Sequence, residues 1–303
     1  MQMMNLPAAA WACAAIGLLI HAAACFRSLK PAASKIWALL LPAALALGCA
    51  KAGFLLLQEE AEYAHFRWCF SMGLLGLTAG TALAATLLRS GAAKTLDDTA
   101  AASCLAMGLA RLSQRWLGET GIGPILENPG FYTMINEWEE AVLATWMIET
   151  GICLLAACAV ALLRRGKIRA PGSAACLGIC FLMIPQILAE QFRSGEYLRF
   201  MMMRLEQALF ALLALGAVIW LCLRFRKESG HRGALRGWGP AVFFLCMAAA
   251  VALVQFMLDG KLAELPVWLC WTLYALAVAG MLGAAGFAAL RRERTEAQKG
   301  TAG

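Results

Sequence analysis

The sequence is poor in charged residues and has no polar segment long enough to fold by itself. Asp, Glu, Lys and Arg together make up 15% of the 303 residues, whereas apolar residues make up 61%. The mean hydropathy is +0.68. This composition excludes a soluble globular enzyme, because a soluble domain carries more charge than this. Long apolar runs separated by short charged clusters are typical of a helical protein that crosses a membrane several times.

Histidine is scarce, and the cysteines lack the spacing of a metal site or a disulfide framework. The chain has 3 His and 12 Cys. Most of the cysteines lie singly within apolar runs. The closest pair, Cys176 and Cys180, has the i,i+4 spacing of a helix, with no histidine nearby. Buried thiols are the better interpretation, so the sequence predicts neither a metal ion nor another cofactor.

The first apolar run lacks the basic residues that precede the apolar core of a signal peptide. Its positive charges, Arg27, Lys30 and Lys35, follow the run instead. This order predicts a retained first span that enters the membrane from the outside.

Nine apolar runs are close to the ~20 residues that an α-helix needs to cross about 30 Å of hydrocarbon. The predicted fold is therefore an all-α polytopic membrane protein with seven spans in residues 1–228 and two more in residues 229–303. The short basic tail after the last span is expected to be solvated and disordered. The nine runs cover residues 6–26, 36–57, 69–89, 98–114, 141–163, 174–192, 205–225, 238–258 and 266–290.

Positive charge is concentrated in alternate connections between the spans. With the N-terminus outside, the inner segments hold 18 of the 26 Lys and Arg residues but only 5 of the 19 acidic residues, including Asp98 at a boundary. This asymmetry obeys the positive-inside rule and predicts a cytoplasmic C-terminus. The net charge of +7 then reflects orientation and contact with anionic lipid, and nucleic acid is not an expected partner. The inner segments are residues 27–35, 89–97, 164–173, 224–237 and 291–303.

Several spans carry polar residues in the half of the membrane that this topology places outside. A charge at such a depth costs free energy unless it is paired or faces water, so each is a candidate functional residue. Together they favour a polar cavity that opens to the outer leaflet; structural Arg–Glu pairs that hold the bundle together are the alternative. The residues are Lys51, Arg111, Gln114, Arg115, Glu149, Gln186, Glu190, Arg193, Arg204, Glu206 and Gln207.

The chemistry of these residues points to an anionic phospholipid headgroup as the ligand. Arginine binds two phosphate oxygens with its planar guanidinium, and lysine provides further donors. Gly118, Gly121 and Gly123 follow the fourth span and permit the backbone to turn and approach a ligand closely.

The order of the motifs resembles that of the prolipoprotein diacylglyceryl transferase family. The most specific pattern of that family is a Gly-Arg, an Asn three residues after the Arg, then a Gly-Glu and a further glycine. The segment "ARLSQRWLGETG" is similar: Arg111 matches the arginine, Gln114 the asparagine, and Gly118 and Glu119 the Gly-Glu pair. Upstream, "FSMGLLG" resembles the family's Phe-His-Gly-Gly-Leu-Ile-Gly.

Further matches lie on both sides of this segment, and the whole resemblance covers roughly residues 8–225. Ser71 falls at the family's histidine, and "AKAGF" looks like the family's Gly-Arg-Ile-Gly-Tyr with Lys51 at the arginine. "TWMIETG" resembles a segment with a Tyr-Glu pair, in which Glu149 matches the glutamate.

The sixth and seventh spans also resemble the family. "QILAEQFR" looks like its Arg-x-x-x-Glu-Phe-Phe-Arg stretch. Glu190 and Arg193 match the glutamate and the last arginine, and Gln186 stands at the first arginine. Gln207 matches the glutamine that opens the seventh span.

The resemblance implies an enzyme at the outer face of the bacterial cytoplasmic membrane. Such an enzyme transfers the diacylglyceryl group of phosphatidylglycerol to the lipobox cysteine thiol of a prolipoprotein and releases glycerol phosphate. Its expected partners are phosphatidylglycerol or another anionic phospholipid and the prolipoprotein signal peptide. The expected catalytic residues are Arg111, Glu119 and Glu190; the expected phospholipid-binding residues are Lys51, Gln114, Arg115, Gly118, Arg193 and Gln207; and Ser71, Glu149 and Gln186 are expected to support them.

Two other functions stay open. Because Ser71 replaces the family's histidine, the chain is also compatible with a non-catalytic relative that binds phospholipid or a lipoprotein precursor as a chaperone or regulatory subunit. A lipid or solute transporter on the same bundle is the third hypothesis. The sequence shows no internal repeat, which argues against a transporter.

Overall fold

The computed structural model describes most of the chain. The described residues are 7–29, 36–57, 68–116, 123–136, 138–166, 168–193, 199–200, 203–229, 237–261 and 265–302. Glu119 and Gly118 of the predicted site lie outside them, as does Gly121.

Nine α-helices contain most of the described residues. They are α1 (Pro7–Ser28), α2 (Ile36–Leu57), α3 (Phe70–Leu87), α4 (Ala92–Ser113), α5 (Thr145–Gly166), α6 (Ser173–Ala189), α7 (Leu205–Glu228), α8 (Gly239–Leu258) and α9 (Val267–Ala302). Two small antiparallel hairpins accompany them. They pair β1 (Thr133–Ile135) with β2 (Ala141–Leu143), and β3 (Arg199–Phe200) with β4 (Met203–Arg204).

Seven of the described helices are long and apolar enough to cross a membrane: α1, α3, α5, α6, α7, α8 and α9. In α2 the apolar stretch is shorter, Leu40–Leu56. Helix α4 carries Lys94, Asp97, Asp98 and Arg111. The chain is therefore an all-α membrane protein with several spans, as the sequence predicted.

Three predictions about the helices were wrong. The fourth helix does not begin at residue 98, because α4 begins at Ala92. Residues 141–143 do not begin the fifth helix, because they pair with Thr133–Ile135 as strand β2, and α5 begins at Thr145. The tail after residue 290 is not disordered: α9 continues to Ala302. The carboxylate of Glu293 accepts hydrogen bonds from the backbone N–H groups of Arg169 (2.9 Å) and Ala170 (2.8 Å), which fixes this end of the helix.

The described residues form two compact units. The first takes residues from 1–159 and 189–198, and the second takes residues from 160–188 and 199–303. In the first unit α2 packs along α3 and α1 packs along α4. In the second unit α9 packs against α8 and α7.

Glycines on α3 bring its backbone against that of α2. A Cβ at Gly76 would overlap the carbonyl group of Leu45, and a Cβ at Gly80 would lie 2.6 Å from Cα of Pro42. Small residues permit such close approach of helices in membranes, where packing contacts replace the hydrophobic effect as the driving force. Gly76 of the "FSMGLLG" segment therefore has a packing role, whatever the function of the protein.

We expect Gly76→Ala and Gly48→Ala to have opposite effects. A methyl group at Gly76 must push α2 and α3 apart, and such overpacking costs about 1–3 kcal/mol. At Gly48 of α2 no atom lies within 4 Å of the added Cβ. There the higher helix propensity of alanine favours the folded state by up to ~1 kcal/mol. Thermal unfolding of the purified protein in detergent measures both. A Gly76→Ala midpoint equal to that of Gly48→Ala would contradict the close packing.

A buried polar cluster joins α1, α3 and α4. The hydroxyl of Thr81 donates to the Leu77 carbonyl oxygen (2.7 Å), so Nε2 of His21 donates to Oγ1 of Thr81 (2.9 Å). Nδ1 of His21 lies 3.2 Å from Oγ of Ser103, whose hydroxyl donates to the Thr99 carbonyl oxygen (3.1 Å), and Sγ of Cys25 lies 3.3 Å from Nε2. The role of His21 is to connect three helices.

Candidate functional site

Most of the predicted site residues of the first unit come from the ends of three helices. Helix α4 continues into a single 3₁₀ turn, Gln114–Trp116, and α6 continues into another, Glu190–Phe192. Helix α5 begins at Thr145 and places Glu149 one turn inside. Because a 3₁₀ turn is tighter than an α-helical turn, it changes the direction of the side chains at each of these ends.

Glu149 lies between two arginines. Its Oε2 is 3.5 Å from Nε of Arg111, and its Oε1 is 3.5 Å from Nε of Arg193. Nη1 of Arg193 is also 3.4 Å from Oε2 of Glu190. None of these four side chains is more than 6% exposed. The residues that the sequence placed on three separate spans therefore form one buried ionic network.

Gln114 completes this network. The carboxamide fits its surroundings when its nitrogen faces Oε2 of Glu149, at 3.3 Å. Its oxygen then accepts from Nη2 of Arg193 (2.9 Å) and from Nη1 of Arg111 (3.2 Å). One neutral side chain thus contacts both arginines and the glutamate between them.

Among the described residues, the network contains two positive and two negative side chains, so the formal charge of these four is zero. Removing four charges from water is costly, and mutual pairing in a medium of low polarity offsets that cost. The guanidinium of Arg111 also lies over the ring of Phe70, with Cζ 4.0 Å from the ring centre. This face of the arginine is attracted to the π-electrons of the ring. The arrangement is neutral and fixes the orientation of each member.

Arg115 lies beside the network in a different environment. Its Cζ is 5.6 Å from the ring centre of Trp116 and 5.7 Å from that of Trp146. Trp146 and its neighbour Thr145 form the first residues of α5, and both are buried. Sequence reasoning missed these two, because a Trp and a Thr at the start of an apolar helix give no signal of a site.

Lys51 and Ser71 belong to the same unit but have other contacts. Lys51 is partly exposed, and its Nζ lies 5.3 Å from the ring centre of Phe54 and 5.7 Å from that of Trp68. Ser71 is fully buried, and its hydroxyl lies 3.2 Å from Sγ of Cys69. Ser71 directly follows Phe70, the aromatic partner of Arg111.

Gly123 has a packing role. Its N–H donates to the Leu143 carbonyl oxygen at 2.6 Å. A Cβ at this position would overlap the Phe192 carbonyl and lie 3.0 Å from Cγ2 of Thr145. The close approach that the sequence predicted for this glycine is therefore made to the backbone at the end of α6.

Gln207 and Gln186 lie in the second unit, and both are fully buried. Nε2 of Gln207 donates to the carbonyl oxygen of Ile187 (3.0 Å), and its Oε1 accepts from the backbone N–H of Arg204 (3.1 Å). Gln207 thus caps the start of α7. Gln186 lies on α6, four residues before Glu190.

The last two helices contribute to the surroundings of Gln207, which the sequence did not predict. Nε2 of Gln255 on α8 lies 3.5 Å from Oε1 of Gln207. The hydroxyl of Tyr274 on α9 donates to the Ile187 carbonyl oxygen (3.1 Å). Residues 229–303 therefore help to fix the polar groups at the end of α6.

Among the described residues, no three His, Cys, Asp or Glu side chains come together as metal ligands would. No protein-family model matches the chain, and no curated protein matches it in sequence. The likeness to the transferase family rests on the motif residues alone.

Proposed function

We propose that the chain is a divergent relative of the prolipoprotein diacylglyceryl transferases, in a bacterial cytoplasmic membrane. It has nine spans, with the N-terminus outside and the C-terminus in the cytoplasm. The outward half of its first seven helices binds phosphatidylglycerol. The diacylglyceryl group of this lipid is transferred to the thiol of a lipobox cysteine.

The observation that carries this proposal is the convergence of Arg111, Gln114, Glu149, Glu190 and Arg193. Each of them matches a position of the family's motifs, and the motifs lie far apart in the sequence. All five meet within 3.5 Å of a neighbour in one cluster. A chance likeness of short motifs gives no reason for the matched side chains to meet.

The proposed reaction forms one carbon–sulfur bond and breaks one carbon–oxygen bond. The substrate thiol, with a pKa of about 8.5, must lose its proton to become a nucleophile. Glu190 accepts that proton. The thiolate attacks the carbon of the diacylglyceryl group that is bonded to the phosphate oxygen. The carbon–oxygen bond breaks, and its electrons leave with the phosphate oxygen. The product glycerol phosphate departs as an anion, and Arg111 and Arg193 stabilise its charge.

A second candidate function is a non-catalytic lipid-binding subunit. Two observations favour it: Ser71 stands at the position of the family's histidine, and the carboxylates of Glu149 and Glu190 already balance the charges of Arg111 and Arg193. A chain of this kind would retain phosphatidylglycerol without transferring any part of it.

The test is a transfer reaction with the purified protein, phosphatidylglycerol micelles and a lipobox peptide. We expect a mass increase of one diacylglyceryl group on the peptide cysteine. Glu190→Gln should slow the reaction by about 10²–10⁴-fold, because it removes the base and preserves the shape of the side chain. Lys94→Ala, at the exposed opposite end of α4, is the control and should have no effect.

An unmodified peptide with lipid still bound to the protein would exclude the transferase and support the non-catalytic subunit. Growth of bacteria depleted of their ordinary transferase provides the same test in cells. Rescue by the wild-type gene and no rescue by the Glu190→Gln gene is the result that we expect.

A further inference from the structure

Arg115 differs from the other two arginines of the site in its charge balance. Arg111 and Arg193 each lie within 3.5 Å of a carboxylate oxygen. In the part of the chain that the structure describes, no carboxylate forms an ion pair with Arg115, and its guanidinium faces two tryptophan rings instead. Arg115 is partly buried, so its charge is only partly hydrated. It therefore adds one uncompensated positive charge next to a network that is neutral.

Two buried donors at the start of α5 have no partner, and the ring of one of them, Trp146, lies 5.7 Å from Cζ of Arg115. Trp146 is 5% exposed and Thr145 is 1% exposed. Within the described residues, neither Nε1 of Trp146 nor Oγ1 of Thr145 has a hydrogen-bond partner. Buried polar groups of this kind almost always have a partner in folded proteins. The lack of a partner for these two groups, one of which lies close to Arg115, indicates that their acceptor is a ligand.

The start of α5 adds to the same electrostatic environment. This helix of 22 residues begins at Thr145, so the positive end of its dipole lies at the two buried donors. Helix N-termini bind phosphate for this reason, and here two buried side-chain donors without a partner lie in the same first turn. The guanidinium, the indole N–H, the hydroxyl and the helix end all favour an anion.

We propose that Arg115, Trp146 and Thr145 bind the phosphate group of an anionic phospholipid headgroup. The single negative charge of a phosphodiester matches the single uncompensated charge of Arg115. Trp146 lies three residues before Glu149 on α5, and Arg115 lies four residues after Arg111, so this phosphate subsite adjoins the buried network. The inference rests on the proposed function for the lipid part of the ligand.

The three arginines therefore have different roles. Arg111 and Arg193, which are paired with carboxylates, stabilise the charge that develops during transfer, whereas Arg115 supplies the net attraction that binds the phosphate. Specificity for an anionic headgroup over a zwitterionic one then depends on the phosphate subsite. Phosphatidylglycerol should bind more tightly than phosphatidylcholine for this reason.

The test measures lipid binding by native mass spectrometry of the full chain, stripped of lipid in a neutral detergent. Short-chain phosphatidylglycerol is the probe, phosphatidylcholine is the zwitterionic control, and glycerol phosphate is a soluble phosphate without acyl chains. The variants are Arg115→Gln, Trp146→Phe and Thr145→Val. The matched control is Trp116→Phe, because the ring of Trp116 also faces Arg115 but its indole N–H is not part of the proposed subsite.

We expect Arg115→Gln and Trp146→Phe each to weaken phosphatidylglycerol binding about tenfold, as loss of a hydrogen bond to a charged group does. Thr145→Val should weaken it by a smaller factor. Without lipid, Thr145→Val should be at least as stable to heat as the wild type, since its hydroxyl has no partner to lose. Trp116→Phe should change binding less than twofold.

Phosphatidylglycerol affinity that is the same in Arg115→Gln, Trp146→Phe and wild type would overturn the subsite. So would the absence of binding of both phosphatidylglycerol and glycerol phosphate to the wild type, or a lower melting point of lipid-free Thr145→Val. If glycerol phosphate binds with the same dependence on the variants, the phosphate itself is the ligand. If only the lipid does so, the acyl chains are also required, and both results support the subsite.

The transfer reaction separates this inference from the proposed function. If lipid binding depends on the subsite residues but no transfer occurs, the subsite is supported and the transferase function is excluded. If Arg115→Gln binds lipid and catalyses transfer as the wild type does, the transferase function is supported and the subsite is excluded.

Discussion

Glu149→Gln is expected to be one of the two most destabilising changes in the chain. Glu149 is fully buried and lies 3.5 Å from Nε of both Arg111 and Arg193. The amide preserves the shape of the side chain but leaves two positive charges opposite one remaining carboxylate, that of Glu190. Breaking a buried ion pair in this way costs about 3–5 kcal/mol. Thermal unfolding in detergent should show a large fall in the midpoint.

Gln114 allows the charge to be restored in the same place. Its carboxamide contacts Glu149, Arg111 and Arg193 within 3.3 Å. Gln114→Glu alone adds a third carboxylate to two arginines and should also destabilise. The double variant Gln114→Glu with Glu149→Gln again has two charges of each sign, so it should recover most of the lost stability. Such coupling between neighbouring positions is what a double-mutant cycle measures.

Glu140→Gln is the matched control for this cycle. Glu140 is exposed near the turn of the β1–β2 hairpin, where it accepts a hydrogen bond from Asn136 (3.0 Å). Its replacement should change stability by less than about 0.5 kcal/mol. If Glu149→Gln also proved harmless, or if the double variant were less stable than either single variant, charge balance would not be what holds the cluster together.

The sequence predicted the members of this cluster better than their arrangement. Arg111, Glu149 and Arg193 are charges within apolar runs, and the distribution of basic loops placed all of them at one depth. The depth of these residues in the membrane and their charges were enough to predict that their side chains lie close together. They were not enough to predict that Glu149 lies between both arginines, because pairing depends on how far each helix is rotated and how closely the helices pack.

The structure supports the structural interpretation for two of the arginines, and the ligand-binding interpretation stays a prediction. Arg111 and Arg193 are paired with carboxylates, as the structural alternative requires. Arg115 has no such carboxylate among the described residues and is the better candidate for attracting a ligand. The number of charges that the sequence places at one depth therefore did not show which arginine is paired with a carboxylate.

Residues of ordinary appearance were missed for a related reason. Trp146 and Thr145 are candidates because their side-chain polar atoms are buried without a hydrogen-bond partner, which is a property of packing. Tyr274 and Gln255 lie in spans that match no motif, and their hydrogen bonds to the surroundings of Gln207 depend on which helices are neighbours. The tail after residue 290 is polar in composition, yet it is helical because specific contacts fix it.

Those contacts make Arg292→Ala the second change with a large expected effect. Arg292 is 2% exposed, and it donates to both carboxylate oxygens of Glu228 at 2.9–3.2 Å. It also donates to the Pro171 carbonyl oxygen (2.8 Å) and to the hydroxyl of Ser173 (3.0 Å). One guanidinium thus joins the end of α7, the turn before α6 and α9. Its removal leaves Glu228 without this partner and should cost about 3–5 kcal/mol.

Arg292→Lys and Arg294→Ala separate this geometry from charge alone. A lysine has the same charge but no planar fork, so it cannot contact all three elements at once and should recover only part of the stability. Arg294 is exposed two residues further along the same helix, and its replacement should change stability by less than about 0.5 kcal/mol. Equal melting points for Arg292→Ala and Arg294→Ala would mean that the tail is dispensable, as its composition alone suggested. A large gap between them would show that residues after the last apolar run are part of the folded core.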